Sequence, residues 1–203
     1  MILTLLKVGR YLIHSLYFDD YQDTTIRASD AGISKRFKWR IRYYGNDLSY
    51  IVLEKKEKLE GRCYKKSCKI TIDEYNEIIN GNPYDIAFTT EKKLMKELAL
   101  DMLIHGYTPK VIVDYERIAY VEEITNVRIT FDMKISASYE LDRFLDGDYQ
   151  SFYFLPDGMN LLEVKFDNIL PSYIKKIVES YNYEQTSFSK NYYGRRIIDC
   201  YMR

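Results

Sequence analysis

The sequence predicts an α+β domain dominated by one antiparallel β-sheet, closed or nearly closed into a charged tunnel with helices packed outside. Three observations carry this reading. Several stretches alternate charged and apolar residues, the mark of strands with one face buried. Turn residues join these stretches in pairs. Segments with a 3.6-residue apolar period lie between the pairs and supply cover for the apolar face. A sheet curled into a tube satisfies both faces and removes exposed edges.

Each element has its own justification. Residues 11–18 (Tyr-Leu-Ile-His-Ser-Leu-Tyr-Phe) form a strand stopped by Asp19-Asp20, and a short helix or loop through 21–32 ends at Gly32. Strands at 35–44 and 49–58 flank Gly45-Asn46-Asp47, a hairpin turn, and a very basic strand follows at 62–70. Thr71-Ile72-Asp73-Glu74 is a capping-box signature, and the helix it opens stops near Gly81. Asn82-Pro83 marks a loop. Residues 90–104 are helical, with Leu94, Leu98 and Met102 aligned, and Gly106 and Pro109 end that element. Strands at 110–121 and 126–135 make a second hairpin; 136–150 is a polar connection; strands at 151–155 and 160–167 make a third around Pro156-Asp157-Gly158. Pro171 opens a helix through about residue 182, and an unassigned tail from Gln185 carries Ser187-Phe188-Ser189-Lys190. With 203 residues, the chain fits one domain, 1–203.

The charged faces are basic. Lys38, Arg40 and Arg42 share one side of their strand, opposite Phe37, Trp39, Ile41 and Tyr43. Lys56, Lys58, Arg117, Arg128, Lys134 and Lys165 fall in the same phase on other strands, against only Glu54, Asp132 and Glu163. The whole chain is neutral, with 30 basic and 30 acidic residues. For one strand, a charged side simply meets water. A solvated face usually mixes signs, so a repeated basic face points to an anion. Arg at four of these positions suits phosphate, which its planar fork binds bidentately. Glu163 reads as an ion pair by default, or as a ligand for a divalent metal bridging phosphates.

Composition excludes other classes. Zero net charge argues against a general nucleic-acid binder. Cys63, Cys68 and Cys200 lack zinc spacing, and an odd count without a secretory signal suits reduced thiols in a cytoplasm. The first seven residues are too short an apolar run for a signal or a membrane span, so any membrane association would go through a partner protein. Two histidines, His14 and His105, give no His-based centre, and the 9 glycines form no phosphate-binding loop.

Seven strings then occur in order: Ser15-Leu16-Tyr17-Phe18-Asp19, Arg40-Ile41-Arg42-Tyr43-Tyr44, Leu53-Glu54-Lys55-Lys56, Tyr115-Glu116-Arg117-Ile118-Ala119-Tyr120, Val127-Arg128-Ile129-Thr130-Phe131-Asp132, Leu162-Glu163-Val164-Lys165 and Ser189-Lys190. Together they resemble the VTC domain, the polyphosphate polymerase domain of the fungal vacuolar transporter chaperone complex and of many bacterial proteins. That family belongs to the triphosphate tunnel metalloenzymes, relatives of the CYTH hydrolases. The resemblance implies a phosphotransferase that moves the terminal phosphoryl group of ATP to a polyphosphate chain with Mn²⁺ or Mg²⁺. It implies that Arg40, Arg42, Lys56, Arg117 and Arg128 hold phosphates, with Lys56, Arg117 and Arg128 the expected catalytic residues. Glu163 would bind the metal beside Lys165, and Ser189 and Lys190 would touch phosphate near one end, with Lys65 or Lys66 a further contact. Lys38 joins the phosphate-binding set from its place on the charged face.

The sequence departs from the family at its start. No Glu-x-Lys pair precedes Tyr11, where the family has a further strand and helix, so either the true start lies upstream and supplies that strand, which the phosphotransferase activity needs, or the tunnel lacks one wall. Such an edge would stay exposed or pair with another molecule, which admits a homo-oligomer. A triphosphate or polyphosphate hydrolase, and a non-catalytic polyphosphate or inositol-phosphate binding module, remain as alternatives.

Overall fold

The computed structural model describes residues 6–181, 183 and 185–202. Its eight strands are β1 (Leu6–Asp19), β2 (Arg36–Tyr44), β3 (Asp47–Leu59), β4 (Arg62–Ile70), β5 (Thr108–Glu122), β6 (Val127–Ser138), β7 (Phe152–Tyr153) and β8 (Leu161–Lys165). They form one antiparallel sheet in the order β4-β3-β2-β1-β5-β6-β7, with β8 also on β6. The helices are α1 (Thr24–Asp30), α2 (Ile72–Asn80), α3 (Pro83–Thr89), α4 (Lys93–His105), α5 (Ser172–Glu179) and α6 (Lys190–Tyr201).

Period-two alternation sorts the strands into an outer and an inner face. Leu16, Phe18, Trp39, Ile41, Tyr43, Ile51 and Leu53 point outward and pack under α2, α3 and α4 through Tyr75, Ile78, Ile86, Leu94, Met95 and Leu98. Thr71 and Glu74 make the expected capping box on α2. Gly106, at φ 68°, closes α4 in the left-handed region that glycine adopts freely. The inner face carries a second apolar cluster of Ile13, Tyr17, Val111, Val113, Tyr115, Ile135 and Ala137. His14 faces outward, where its Nδ1 lies 3.0 Å from Asp114 beside Tyr149.

Five expectations need correction. First, no hydrogen bonds join β4 to β8 among the described residues, so the sheet is not closed into a tunnel. It does curl: Cys63 of β4 and Val164 and Lys165 of β8 line one cavity of about 640 Å³. Second, α6 lies on the inner face rather than outside, with Ile198 in the inner cluster. A Cβ on Gly194 would sit 2.9 Å from Val113 and 3.4 Å from Ala137, so the missing side chain lets the helix settle against the sheet. Third, residues 151–155 and 160–167 do not form a hairpin; β7 and β8 both pair with β6, at Ser136–Ala137 and at Arg128–Asp132. Fourth, the loop at Asn82-Pro83 begins α3: Asn82 accepts from the Tyr84 amide, and Pro83 takes the first turn, where its missing N–H costs nothing. Fifth, Lys134 sits at a β-bulge with φ 50° and pairs with Glu116, so it leaves the inner basic set.

Candidate phosphate-binding site

The inner face gathers its cations in two tiers. The deeper tier consists of Arg40, Arg42 and Arg117. Arg40 donates to Glu54 through Nε and to the Tyr17 hydroxyl at 3.3 Å. Lys65 takes the other Glu54 oxygen. Glu54 is 2% exposed. Burial alone would raise its carboxyl, but Arg40, Arg42 and the Lys65 hydrogen bond outweigh that and hold it at about 2. Arg42 donates to Ser15 at 3.0 Å and to the Tyr115 hydroxyl at 3.1 Å. Arg117 grips Asp132 with both prongs of its fork, at 2.6 and 2.7 Å. Asp132 is fully buried and also takes Lys190 Nζ at 2.7 Å. Burial pushes that carboxyl up, yet Arg117 and Lys190 keep it below the ordinary aspartate range.

Two tyrosines floor this tier. Arg117 and Lys190 stand over the Tyr115 ring at 5.2 and 4.8 Å, and Arg40 lies 6.0 Å from the centre of the Tyr17 ring. Burial raises the Tyr17 phenol, but Arg40, Arg42 and Lys190 bring it down to about 8. Neither residue drew attention in the sequence. Their signal was available: each shares strand phase with inner-face neighbours, Tyr115 with Arg117 two positions on.

The upper tier is less compensated. Lys56, Arg128 and Lys165 are exposed, and Arg128 and Lys165, which are register partners, line the cavity beside β8. Arg128 donates to Tyr11 at 3.3 Å. Across the curl, the charge of Lys56 acts on Lys165. Lys38 Nζ donates to Ser189 Oγ at 2.8 Å, and Ser189 also caps α6 by accepting from the Tyr192 amide. Burial, with repulsion from Arg36, Lys56 and Arg40, lowers the Lys38 ammonium to about 8. Glu163 lies 3.1 Å from Lys165 and 3.8 Å from Arg117. Its burial raises the carboxyl less than Lys165, Lys190 and Arg117 lower it, so it stays ionised.

The sequence-predicted residues thus share one face. Arg40, Arg42, Arg117 and Lys190 interlock through Tyr17, Tyr115 and Asp132, while Lys38 with Ser189, Lys56, Arg128, Lys165 and Glu163 surround them. Of the two alternative contacts, Lys65 reaches the site through Glu54, and Lys66 instead pairs with Glu97 near α4.

A family model of the VTC domain matches residues 6–198. The chain belongs to the VTC domain family. No curated protein matches it in sequence. Among solved structures, this VTC domain is similar to a protein of Bacillus halodurans provisionally assigned as an adenylate cyclase. The two share 13% identity and a TM-score of 0.52, over 90% of this chain and 82% of that one. The PH1819 protein of Pyrococcus horikoshii OT3 is more distant, at 13% identity and a TM-score of 0.41, over 87% of this chain and 75% of that one. At such identity, likeness speaks to fold alone. Family and fold support a triphosphate-binding, tunnel-type architecture for this VTC domain. No described helix is long and apolar enough to cross a membrane.

Proposed function

We propose that this VTC domain is a polyphosphate polymerase-like phosphotransferase, which moves the terminal phosphoryl group of ATP to the end of a polyphosphate chain. The observation that carries the reading is the two-tier cation cluster. Buried carboxylates fix Arg40 and Arg117 in place, while Lys56 and Arg128 have no carboxylate partner among the described residues and Lys165 is paired only with the half-buried Glu163. Phosphoryl transfer asks for in-line positioning and charge neutralisation, and it needs no covalent help from a side chain.

The chain's own residues divide this work. Arg42 and Arg117, braced by Tyr115 and Asp132, offer guanidinium N–H groups of set direction to phosphate oxygens. Lys56, Arg128 and Lys165 neutralise charge on the transferring group from the upper tier. Ser189 and Lys38 hold one end of the chain together with the start of α6. Lys190, which spans Asp132 and the Tyr115 ring, joins the helix to the phosphate bed.

The residues fit one divalent metal ion. Glu163 is an ionised carboxylate, about one-third exposed, and Mg²⁺ or Mn²⁺ often takes one or two protein carboxylates plus phosphate oxygens and water. When bound, such an ion polarises the phosphoryl group.

The test is polyphosphate synthesis from ATP with Mn²⁺, run beside tripolyphosphate binding, for the native chain and Glu163→Gln. Product from the native chain, with turnover lost and binding kept in the variant, supports the reading. Binding without turnover under any metal makes the protein a polyphosphate-binding module. Release of free phosphate with no polymer makes it a hydrolase.

A further inference from the structure

One buried hydroxyl on the inner face of the sheet has no partner. Thr130 is 3% exposed, and its Oγ1 makes no hydrogen bond among the described residues. It stands on β6 between Arg128 and Asp132, in the strand phase that faces the cation cluster. A buried hydroxyl left unpaired is destabilising, and valine would fill the same space on a strand without that penalty. The other buried polar atoms without partners among the described residues lie on helices or, at His14, on the outer face.

The register shows which group this hydroxyl can serve. On one side Thr130 lies opposite Ala119 of β5, whose methyl offers nothing polar. On the other it lies opposite Glu163 of β8. Side chains paired in this way stand about 4.5–5.5 Å apart at Cβ, within reach of a glutamate. The neighbours along β6 are committed. Arg117 holds both Asp132 oxygens, and Lys190 adds a third contact. Arg128 donates to Tyr11 and has no acceptor to offer. Glu163 is different. It lies at the edge of the cluster, about one-third exposed, 3.1 Å from Lys165 and 3.8 Å from Arg117.

Holding a divalent ion would make Glu163 change partners. Lys165 and the ion are both cations, and their repulsion opposes sharing one carboxylate. A carboxylate that holds a metal is normally fixed by a hydrogen bond as well. We infer that Thr130 is a positioning residue for Glu163: its hydroxyl donates to that carboxylate when the carboxylate leaves Lys165 for a divalent metal. The inference rests on the proposed metal role of Glu163 and adds what holds that side chain in its second orientation.

The experiment measures binding of tripolyphosphate, metal-free and as its Mn²⁺ complex, by titration calorimetry on the native chain, Thr130→Val and Thr130→Ser. Valine keeps the shape and suits a strand, so that variant should fold; serine keeps the hydroxyl. Removing the group that orients a metal-holding side chain costs about 10–100-fold in metal affinity. The expected result is a loss of about tenfold or more for the Mn²⁺ complex in Thr130→Val, with metal-free tripolyphosphate unchanged within about twofold and Thr130→Ser close to the native chain for both ligands. A Thr130→Val chain that binds the complex as the native one does, equal losses for the two ligands, or a loss in Thr130→Ser as large as in Thr130→Val overturns the positioning role. A native chain that binds tripolyphosphate and gains nothing from Mn²⁺ overturns the metal role of Glu163 and this role with it. A native chain that binds neither ligand overturns the phosphate-site reading itself.

Discussion

Replacing Glu54 by Gln keeps the side chain's shape and removes its charge, so the variant isolates what this buried carboxylate does for the cluster. Its carboxyl falls from 4.5 to about 2 in the folded protein, a preference for the ionised form of roughly 3 kcal/mol. The variant also leaves Arg40 uncompensated beside Arg42, a loss of the size seen when one partner of a buried pair is removed, about 3–5 kcal/mol. For a chain of this length each kcal/mol is worth about 2–4 °C, so Tm should drop by about 6–20 °C at pH 7. The sign with pH follows from a depressed carboxylate: the stabilisation is full above pH 4.5 and disappears as pH falls through about 2. The gap between native and variant Tm should therefore shrink on acidification across that window. Tripolyphosphate supplies the missing negative charge, so it should raise the variant's Tm more than the native one. Thermal scans with and without tripolyphosphate decide it. A variant as stable as the native chain at pH 7, or one stabilised less by the ligand, refutes the view that Glu54 offsets the charge of Arg40 and Arg42.

Three further outcomes are expected. Tripolyphosphate affinity should fall steeply between 50 and 300 mM salt, because exposed Lys56, Arg128 and Lys165 act through screened charge; affinity indifferent to salt would contradict the upper tier. Affinity should also weaken as pH rises through about 8, since Tyr17 gains a negative charge and Lys38 loses a positive one there; Tyr17→Phe and Lys38→Met should each flatten part of that profile, and unchanged profiles would discard both assignments. Gly194→Ala should lower stability by up to about 2 kcal/mol, overpacking of about 1–3 kcal/mol against Val113 being set against about 1 kcal/mol of helix propensity; a more stable variant in denaturant titration would show that α6 has room.

Local chemistry made much of this fold legible. The alternation in Phe37–Tyr43, with Gly45-Asn46-Asp47 behind it, specifies β2 and β3 without help from the rest of the chain, and β4 runs from 62 to 70 as expected. The basic residues of the site were legible for the same reason, since strand phase assigns them a common face. What escaped depended on distant partners. Lys190–Tyr201 has a glycine inside it and no apolar stripe, and it is helical because Val111, Val113 and Ala137 offer it a seat. Lys134 fits the phase on paper, and a bulge between β5 and β6 takes it away. The pairing of β7 and β8 with β6 instead of each other is a matter of tertiary competition that a Pro-Asp-Gly turn does not settle. The anchoring role of Asp132 was hidden because burial, invisible in sequence, is what makes one carboxylate hold two cations.

The inward position of α6 sets an order of assembly. Every strand that bears a site residue precedes this helix in the chain, yet two of the residues that complete the phosphate bed, Ser189 and Lys190, arrive only with it. Until the helix docks, Val111, Val113 and Ala137 stand bare on the inner face, and Asp132 has Arg117 without Lys190. A chain stopped short of Ser189 would keep its outer core under α2–α4 while lacking the cover of its inner one. The binding face thus matures only once α6 has been made, and a product stopped before Ser189 should betray itself by stickiness before it betrays itself by misfolding.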